Sequence, residues 1–278
     1  MPAVNRIDPE HQKLATEFAQ SHGVDGTIHD NDFIYWFDYG NAPEHEKHQI
    51  ALHYVHLGLA TAQVVSDLIK QYPPPRQNFR ILDFASGYGR VTRWLGSTLP
   101  DAEVHASDIH PDAVAFMQSI GLNAFLSHSD PSRFTAPVKF DVIWALSFFS
   151  HMPKRTFGRW LAALCNCLEP NGLLIFSAHG IPIWPLLGRP ELDQEGFWFK
   201  ADSEQKDLDF EEYGNTCSTP RYVLSQIEGL PLHVESLRSP GIGTHDIWIM
   251  RRVDPSVLPP PSMSSWRRRM SSLTGRRG

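Results

Sequence analysis

The sequence predicts an α/β fold built on a seven-stranded mixed sheet flanked by helices. Three observations predict it. Five strand-like runs alternate with helical segments between residues 79 and 180, a glycine-rich turn follows the first run, and two further strands close the pattern by residue 251. Strands that alternate with helices pair in parallel through right-handed crossovers, because only that hand packs the helix back onto the sheet.

The chain before Phe79 reads as an N-terminal helical cap, residues 1–78. From Ala42 to Tyr72, Ile50, Val55, Leu59, Ala62, Val65 and Ile69 suit one helix face, and Pro73, Pro74 and Pro75 end the helix. Strands are expected at Arg80–Phe84, Glu103–Ser107, Asn123–Ser127, Phe140–Leu146 and Gly172–Ala178, with helices at Gly89–Thr98, Pro111–Ile120 and Lys154–Leu168. Glu169-Pro170-Asn171-Gly172 supplies the stop before the fifth strand. Residues 180–216 are rich in Pro, Trp, Phe and acids and have no period. That is long for a simple connection, so a lid or substrate wall is expected, with Phe197, Trp198 and Phe199 as an aromatic wall or as loop anchors. A helix at Pro220–Glu228 and strands at Leu232–Arg238 and Thr244–Arg251 complete a domain over 79–253, and residues 254–278 read as a disordered basic tail.

Composition narrows the function. With 278 residues, 41% apolar and 20% charged, the chain suits a globular enzyme with one sizeable core. The last 24 residues hold Arg267, Arg268, Arg269, Arg276 and Arg277 and no acid, so the overall −6 becomes −11 on the rest. An acidic body argues against a nucleic-acid partner, which needs clustered Lys and Arg. No run of about 18 apolar residues is present to span a membrane, and the first residues lack the apolar core of a secretory signal. Three cysteines, Cys165, Cys167 and Cys217, form no even disulfide framework, which fits a reducing cytoplasm. His45, His48, His53 and His56 lack a completing cysteine or acid and read as a solvated helix face, so no metal is expected.

The turn Asp83-Phe84-Ala85-Ser86-Gly87-Tyr88-Gly89 carries the chemistry. Gly87 and Gly89 let the backbone approach a ligand closely, and Asp108, at the end of the second strand, can accept both hydroxyls of a ribose. A dinucleotide fits those features too. Asp83 tips the balance, because a carboxylate there repels a pyrophosphate and attracts a cationic amino acid. Thr92 also stands where the dinucleotide fingerprint has its third glycine. The matching ligand has a ribose, an α-amino group, a carboxylate and no phosphates: S-adenosylmethionine. Taken singly, Asp83 also suits a helix cap and Asp108 an Asx turn before Pro111.

The segments ILDFASGYGRVTRWL, VHASDIHPDAVAFM, FDVIWALSFFSHMP and LEPNGLLIFSAHG follow one another as in class I (Rossmann-like) S-adenosylmethionine-dependent methyltransferases, a family this chain resembles over residues 79–180. The resemblance implies strand order 3-2-1-4-5-7-6 with the seventh strand antiparallel. It also implies that Asp83, Ala85, Ser86, Gly87 and Gly89 line the methionine part of the cofactor, that Asp108 holds the ribose, and that Ile109 lies on the adenine. Ser129 and Asp130 would approach the adenine amine, and Ala145, Leu146 and Ser147 the sulfur. The family commonly has Gly where this chain has Ala85, so the turn should keep φ negative there or make room for a methyl. An N-terminal helix often folds over the cofactor, a role that Tyr54 and Gly58 suit, with plain packing the alternative.

The expected reaction is methyl transfer to a small-molecule or sugar- or lipid-linked acceptor, on oxygen. No Asp/Asn-Pro-Pro-aromatic segment follows the fourth strand, where nucleic-acid amino-methylating enzymes carry it, and no Pro-Cys nucleophile occurs. His151 and His179, each following a strand end, are the candidate general bases. An NAD(P)-dependent oxidoreductase and a non-catalytic interaction module are the alternatives.

Overall fold

The structure, a computed structural model, describes residues 6–203, 205, 207–254 and 256. The expectation of a disordered tail over 254–278 therefore lies outside the described residues, Asp254 and Ser256 excepted.

Three helices precede the sheet: α1 (Pro9–Gln20), α2 (Phe33–Asn41) and α3 (Ile50–Gln71), the last entered through a 3₁₀ turn at Glu44–Gln49. The caps are written in the sequence. Asp8 accepts the Glu10 N–H at 2.8 Å ahead of Pro9, and Asp32 accepts the Tyr35 N–H at 3.2 Å. The alternating part follows as β1 (Phe79–Phe84), α4 (Thr92–Thr98), β2 (Ala102–Asp108), α5 (Pro111–Ser119), β3 (Asn123–Leu126), β4 (Phe140–Ala145), α6 (Lys154–Cys167) and β5 (Leu168–Ala178). A short hairpin, β6 (Phe197–Lys200) with β7 (Asn215–Ser218), stands apart from the main sheet, and α7 (Pro220–Gln226), β8 (Leu232–Ile242) and β9 (His245–Arg252) end the described fold.

The seven-stranded sheet runs β3-β2-β1-β4-β5-β9-β8. Its first five strands are parallel, and β9 is antiparallel to both β5 and β8. Counting only its own strands, this is the expected 3-2-1-4-5-7-6 order. Both faces are covered, which is why the central strands read as continuous apolar runs and not as alternating ones. Ile81, Val142, Trp144, Leu173 and Ile175 pack under α1, α3 and α4. Leu82, Ile143, Leu174 and Phe176 pack under α6 and α7 with Phe157, Trp160, Leu164 and Tyr222.

Three local departures from the sequence reading have physical causes. Helix α4 starts at Thr92 and not at Gly89, because the positive φ of Gly87 and Gly89 keeps the turn out of the helix until then. The Pro/Gly stop before the fifth strand lies inside β5 as a bulge, where the register against β4 shifts between Phe140 and Val142 and Asn171 takes φ 62°. Residues 180–216 hold β6 and the start of β7, strands of four residues that a periodicity search misses.

Candidate functional site

The C-terminal ends of β1, β2 and β4 open onto a cavity of about 440 Å³. That lies within the ~300–1,000 Å³ of small-molecule sites, at the carboxyl edge where open α/β sheets bind ligands.

The floor is the turn after β1. Asp83 is 3% exposed, and its carboxylate accepts the Thr92 hydroxyl at 2.6 Å. The residue that displaces the third glycine of a dinucleotide fingerprint thus orients the acid. Burial, with the nearby Asp108 charge, pushes the Asp83 carboxyl up to about 7. Asp108 lies beside it, 5% exposed. One of its oxygens accepts the Gly87 N–H at 2.8 Å, and the other meets the His110 N–H at 3.0 Å and the His110 ring at 2.8 Å. Ala85 takes φ 56°, so the expectation of negative φ is overturned. The methyl is accommodated in the left-handed region at a cost of about 1–2 kcal/mol.

The donor set fits S-adenosylmethionine. Asp83 is a carboxylate whose charge burial disfavours and a cation would restore, and Asp108 sets a second carboxylate at the end of β2, where a ribose would be held. Asp83, Ala85, Ser86, Gly87, Asp108, Ile109, Ser129, Leu146 and Ser147 all line the cavity. Ser147, with φ 57°, is held by its N–H donating to the Ser177 hydroxyl at 2.7 Å. Four of the expected residues are not on the wall. Gly89 packs against Met117 and Leu122. Ala145 is fully buried in the core. Asp130 pairs with Arg159 at 2.8 Å. Gly58 sits against α4, where a Cβ would come within 2.2 Å of the Arg90 carbonyl, and so serves packing.

The N-terminal cap closes one side. Tyr54, fully buried, donates to the Asp32 carboxylate at 2.5 Å, and the Arg90 guanidinium lies 5.6 Å from the centre of the Tyr54 ring. Asp32 is 2% exposed and faces the cavity, and burial raises its pKa. Sequence reasoning missed Asp32. The signal available was an Asp ahead of an aromatic run, Phe33 to Tyr39. It also missed the roof, where Gln205, Asp207, Leu208, Asp209, Glu212 and Tyr213 come down over the opening. His110 ties that roof to the floor, pairing with Asp207 at 2.9 Å and with Asp108 at 2.8 Å. Hydrogen bonding to Asp108 raises the His110 pKa.

Neither expected base lines the cavity. His151 stacks on Tyr213 with ring centres 4.4 Å apart, and its Nδ1 lies 2.7 Å from the Gly214 carbonyl. His179 meets the Thr216 carbonyl at 3.2 Å. Burial, with His245 and His151 close by, takes its pKa down to about 3, far from a base poised near neutral pH. Both histidines bind the backbone of the segment that forms β7. Phe197 is buried against Phe157 and Tyr222, and neither it nor Trp198 nor Phe199 lines the cavity, so the three anchor the hairpin. The aromatic wall comes from Phe33, Phe148, Trp160 and Tyr213. Burial pushes the Cys165 and Cys217 thiols up to about 11, which leaves them inert. No helix among the described residues is long and apolar enough to cross a membrane.

Residues 82–174 match the family described as a methyltransferase domain. No curated protein matches the chain. Among solved structures, the chain is similar to the S-adenosylmethionine-bound amino pentose methyltransferase of calicheamicin biosynthesis from Micromonospora echinaspora. The TM-score is 0.55 at 14% identity, over 82% of this chain and 99% of that one. It is also similar to an O-methyltransferase family protein from Burkholderia thailandensis, with TM-score 0.51 and 15% identity over 78% of this chain and 62% of that one. A third similar structure is an S-adenosylmethionine-dependent methyltransferase from Clostridium acetobutylicum, with TM-score 0.50 and 14% identity over 69% and 91% of the two chains.

Proposed function

We propose that the chain, whose residues 82–174 match a methyltransferase domain, is a class I, Rossmann-like, S-adenosylmethionine-dependent methyltransferase, and that its cavity delivers the methyl group to oxygen or nitrogen of a small-molecule or sugar- or lipid-linked acceptor. One observation carries the reading: a single cavity runs from the Asp83–Tyr88 turn, past Leu146 and Ser147, to the roof of Gln205, Asp207, Leu208, Asp209, Glu212 and Tyr213. Cofactor and acceptor can therefore lie end to end in one enclosure.

Bound S-adenosylmethionine supplies an electrophilic methyl on a sulfonium. In this reading Asp83 holds the α-ammonium, Asp108 the ribose hydroxyls, and Ile109 and Ser129 the adenine. Leu146 and Ser147 shape the wall beside the reacting atoms. The roof excludes water and aligns the acceptor, and such alignment alone can supply several kcal/mol of the barrier reduction. The acceptor classes are supported by the enclosed, partly aromatic wall.

Thermal shifts with S-adenosylhomocysteine and with NAD test the cofactor side directly. S-adenosylhomocysteine should stabilise the fold by about 2–4 kcal/mol at 100–1,000 times its Kd, and NAD should leave it unchanged. The reverse pattern would favour the oxidoreductase.

A further inference from the structure

We infer that the acceptor is a small organic amine, recruited as its ammonium ion by the acidic roof of the cavity. The inference rests on the methyltransferase reading above and chooses between its two acceptor atoms.

The charge census of the wall carries it. Asp32, Asp83 and Asp108 face the cavity from the floor and the N-terminal side, and Asp207, Asp209 and Glu212 face it from the roof. Among the described residues the one guanidinium on the wall, that of Arg90, already pairs with Asp38 at 3.5 Å. Bound S-adenosylmethionine brings a sulfonium and an ammonium against one carboxylate, a net +1, and would answer the floor acids, of which burial already pushes Asp32 and Asp83 toward the neutral form, and not those of the roof. In the roof, Asp207 is paired with His110 at 2.9 Å and Glu212 with Arg155 at 2.7 Å. The Asp209 carboxylate accepts the Glu211 N–H at 3.0 Å and has no ion pair among the described residues. In sequence, residues 202–212 carry six acids and one lysine. A mouth of one sign concentrates the opposite charge and repels its own, so phosphorylated or carboxylated acceptors are disfavoured. Phe148, Trp160 and Tyr213 line the same wall, and aromatic rings attract a cation more than a neutral hydroxyl.

The catalytic groups point the same way. A hydroxyl, far less acidic than an ammonium, needs a base to take its proton; His151 and His179 are held on backbone carbonyls and are not on the cavity wall, and His110, which is, is engaged by Asp108 and Asp207. An ammonium, with a pKa of about 10 like that of Lys, first gives up one proton to water without a dedicated base. Its nitrogen lone pair then forms the N–C bond as the C–S bond breaks, and that electron pair stays on sulfur as the neutral thioether. The methylated ammonium leaves as such or loses its proton to solvent.

The test uses the full chain. Binding of S-adenosylhomocysteine is measured first by calorimetry. The loaded protein is then offered amino sugars and arylalkylamines beside the same compounds with hydroxyl in place of the amine, read by thermal shift and by labelled methyl transfer. At least one amine should stabilise the loaded protein and be methylated tenfold or more faster than its hydroxyl counterpart. The double variant Asp209→Asn, Glu212→Gln should raise KM for that amine about tenfold, with kcat within twofold and S-adenosylhomocysteine affinity unchanged. The KM difference should shrink in 0.5 M salt. Transfer to hydroxyl compounds with amines inert, no stabilisation by any amine, or an unchanged KM in the variant would each overturn the inference. Failure of S-adenosylhomocysteine to bind would instead sink the methyltransferase reading beneath it.

Discussion

Asp83 is a carboxylate kept where burial disfavours its charge, and the proposed cofactor ammonium would repay that cost. Its pKa of about 7 exceeds the ordinary 3.8, so in the free protein it costs the fold a few kcal/mol near neutral pH, an upper bound. Asp83→Asn should therefore raise the melting temperature of the free protein at pH 8 and weaken S-adenosylhomocysteine binding at least tenfold. A variant that binds as well as the parent would remove Asp83 from the site. Ala85 is the second residue under tension. Its left-handed φ of 56° costs about 1–2 kcal/mol, partly offset in Ala85→Gly by the greater freedom of glycine in the unfolded chain. That substitution should stabilise by about 0.5–1 kcal/mol in denaturant titration, and a loss of stability would show that the methyl makes contacts worth more than its strain.

At the scale of elements, the contact of α3 with the β1–α4 turn decides whether the cavity is closed. Gly58 brings α3 within contact of Arg90 and Trp94. A methyl there must push the two helices apart, so Gly58→Ala should cost about 1–3 kcal/mol in chemical denaturation. Cofactor affinity should fall with it, because α4 follows directly on the turn that carries Asp83. Tyr54→Phe is a gentler probe of the same seam. It leaves the buried Asp32 with the Tyr35 N–H alone, at a cost of about 1–3 kcal/mol for the lost partner. If Tyr54→Phe is neutral, the Asp32–Tyr54 bond contributes little to the closed cap.

For the molecule as a whole, pH is the simplest coupled observable. The raised Asp83 pKa favours folding at low pH, and that contribution is lost as pH climbs from about 4 to 7. Buried His179 and His245, taken down to about 3 and about 4, act oppositely. Their neutral forms support the fold above about 6.5, and that support is lost on acidification. A cationic ligand on Asp83 releases its proton, so stabilisation by S-adenosylhomocysteine should grow from pH 5 to pH 8. A ligand-induced shift that is flat across this range would mean that Asp83 does not meet the ammonium.

The strands, the helices between them and the glycine turn were legible in residues 79–180 because they rest on local signals: apolar runs, Pro and Gly stops, and a carboxylate placed inside a turn; the strand order came from the family resemblance. Asp83 and Asp108 could be named for the same reason, since each sits at a strand end whose position the pattern already sets. The roof acids, the cavity-facing Asp32 and the retreat of His151 and His179 were not legible. Which way a side chain faces when it lies outside a regular period depends on contacts across the fold, such as His151 on Gly214 and His110 between Asp108 and Asp207. The sequence by itself determined the fold class and the cofactor, because periodicity and turn chemistry act over a few residues. Only the tertiary structure decided which groups line the cavity, because that wall is assembled from segments more than a hundred residues apart, and their summed charge exists only once they meet.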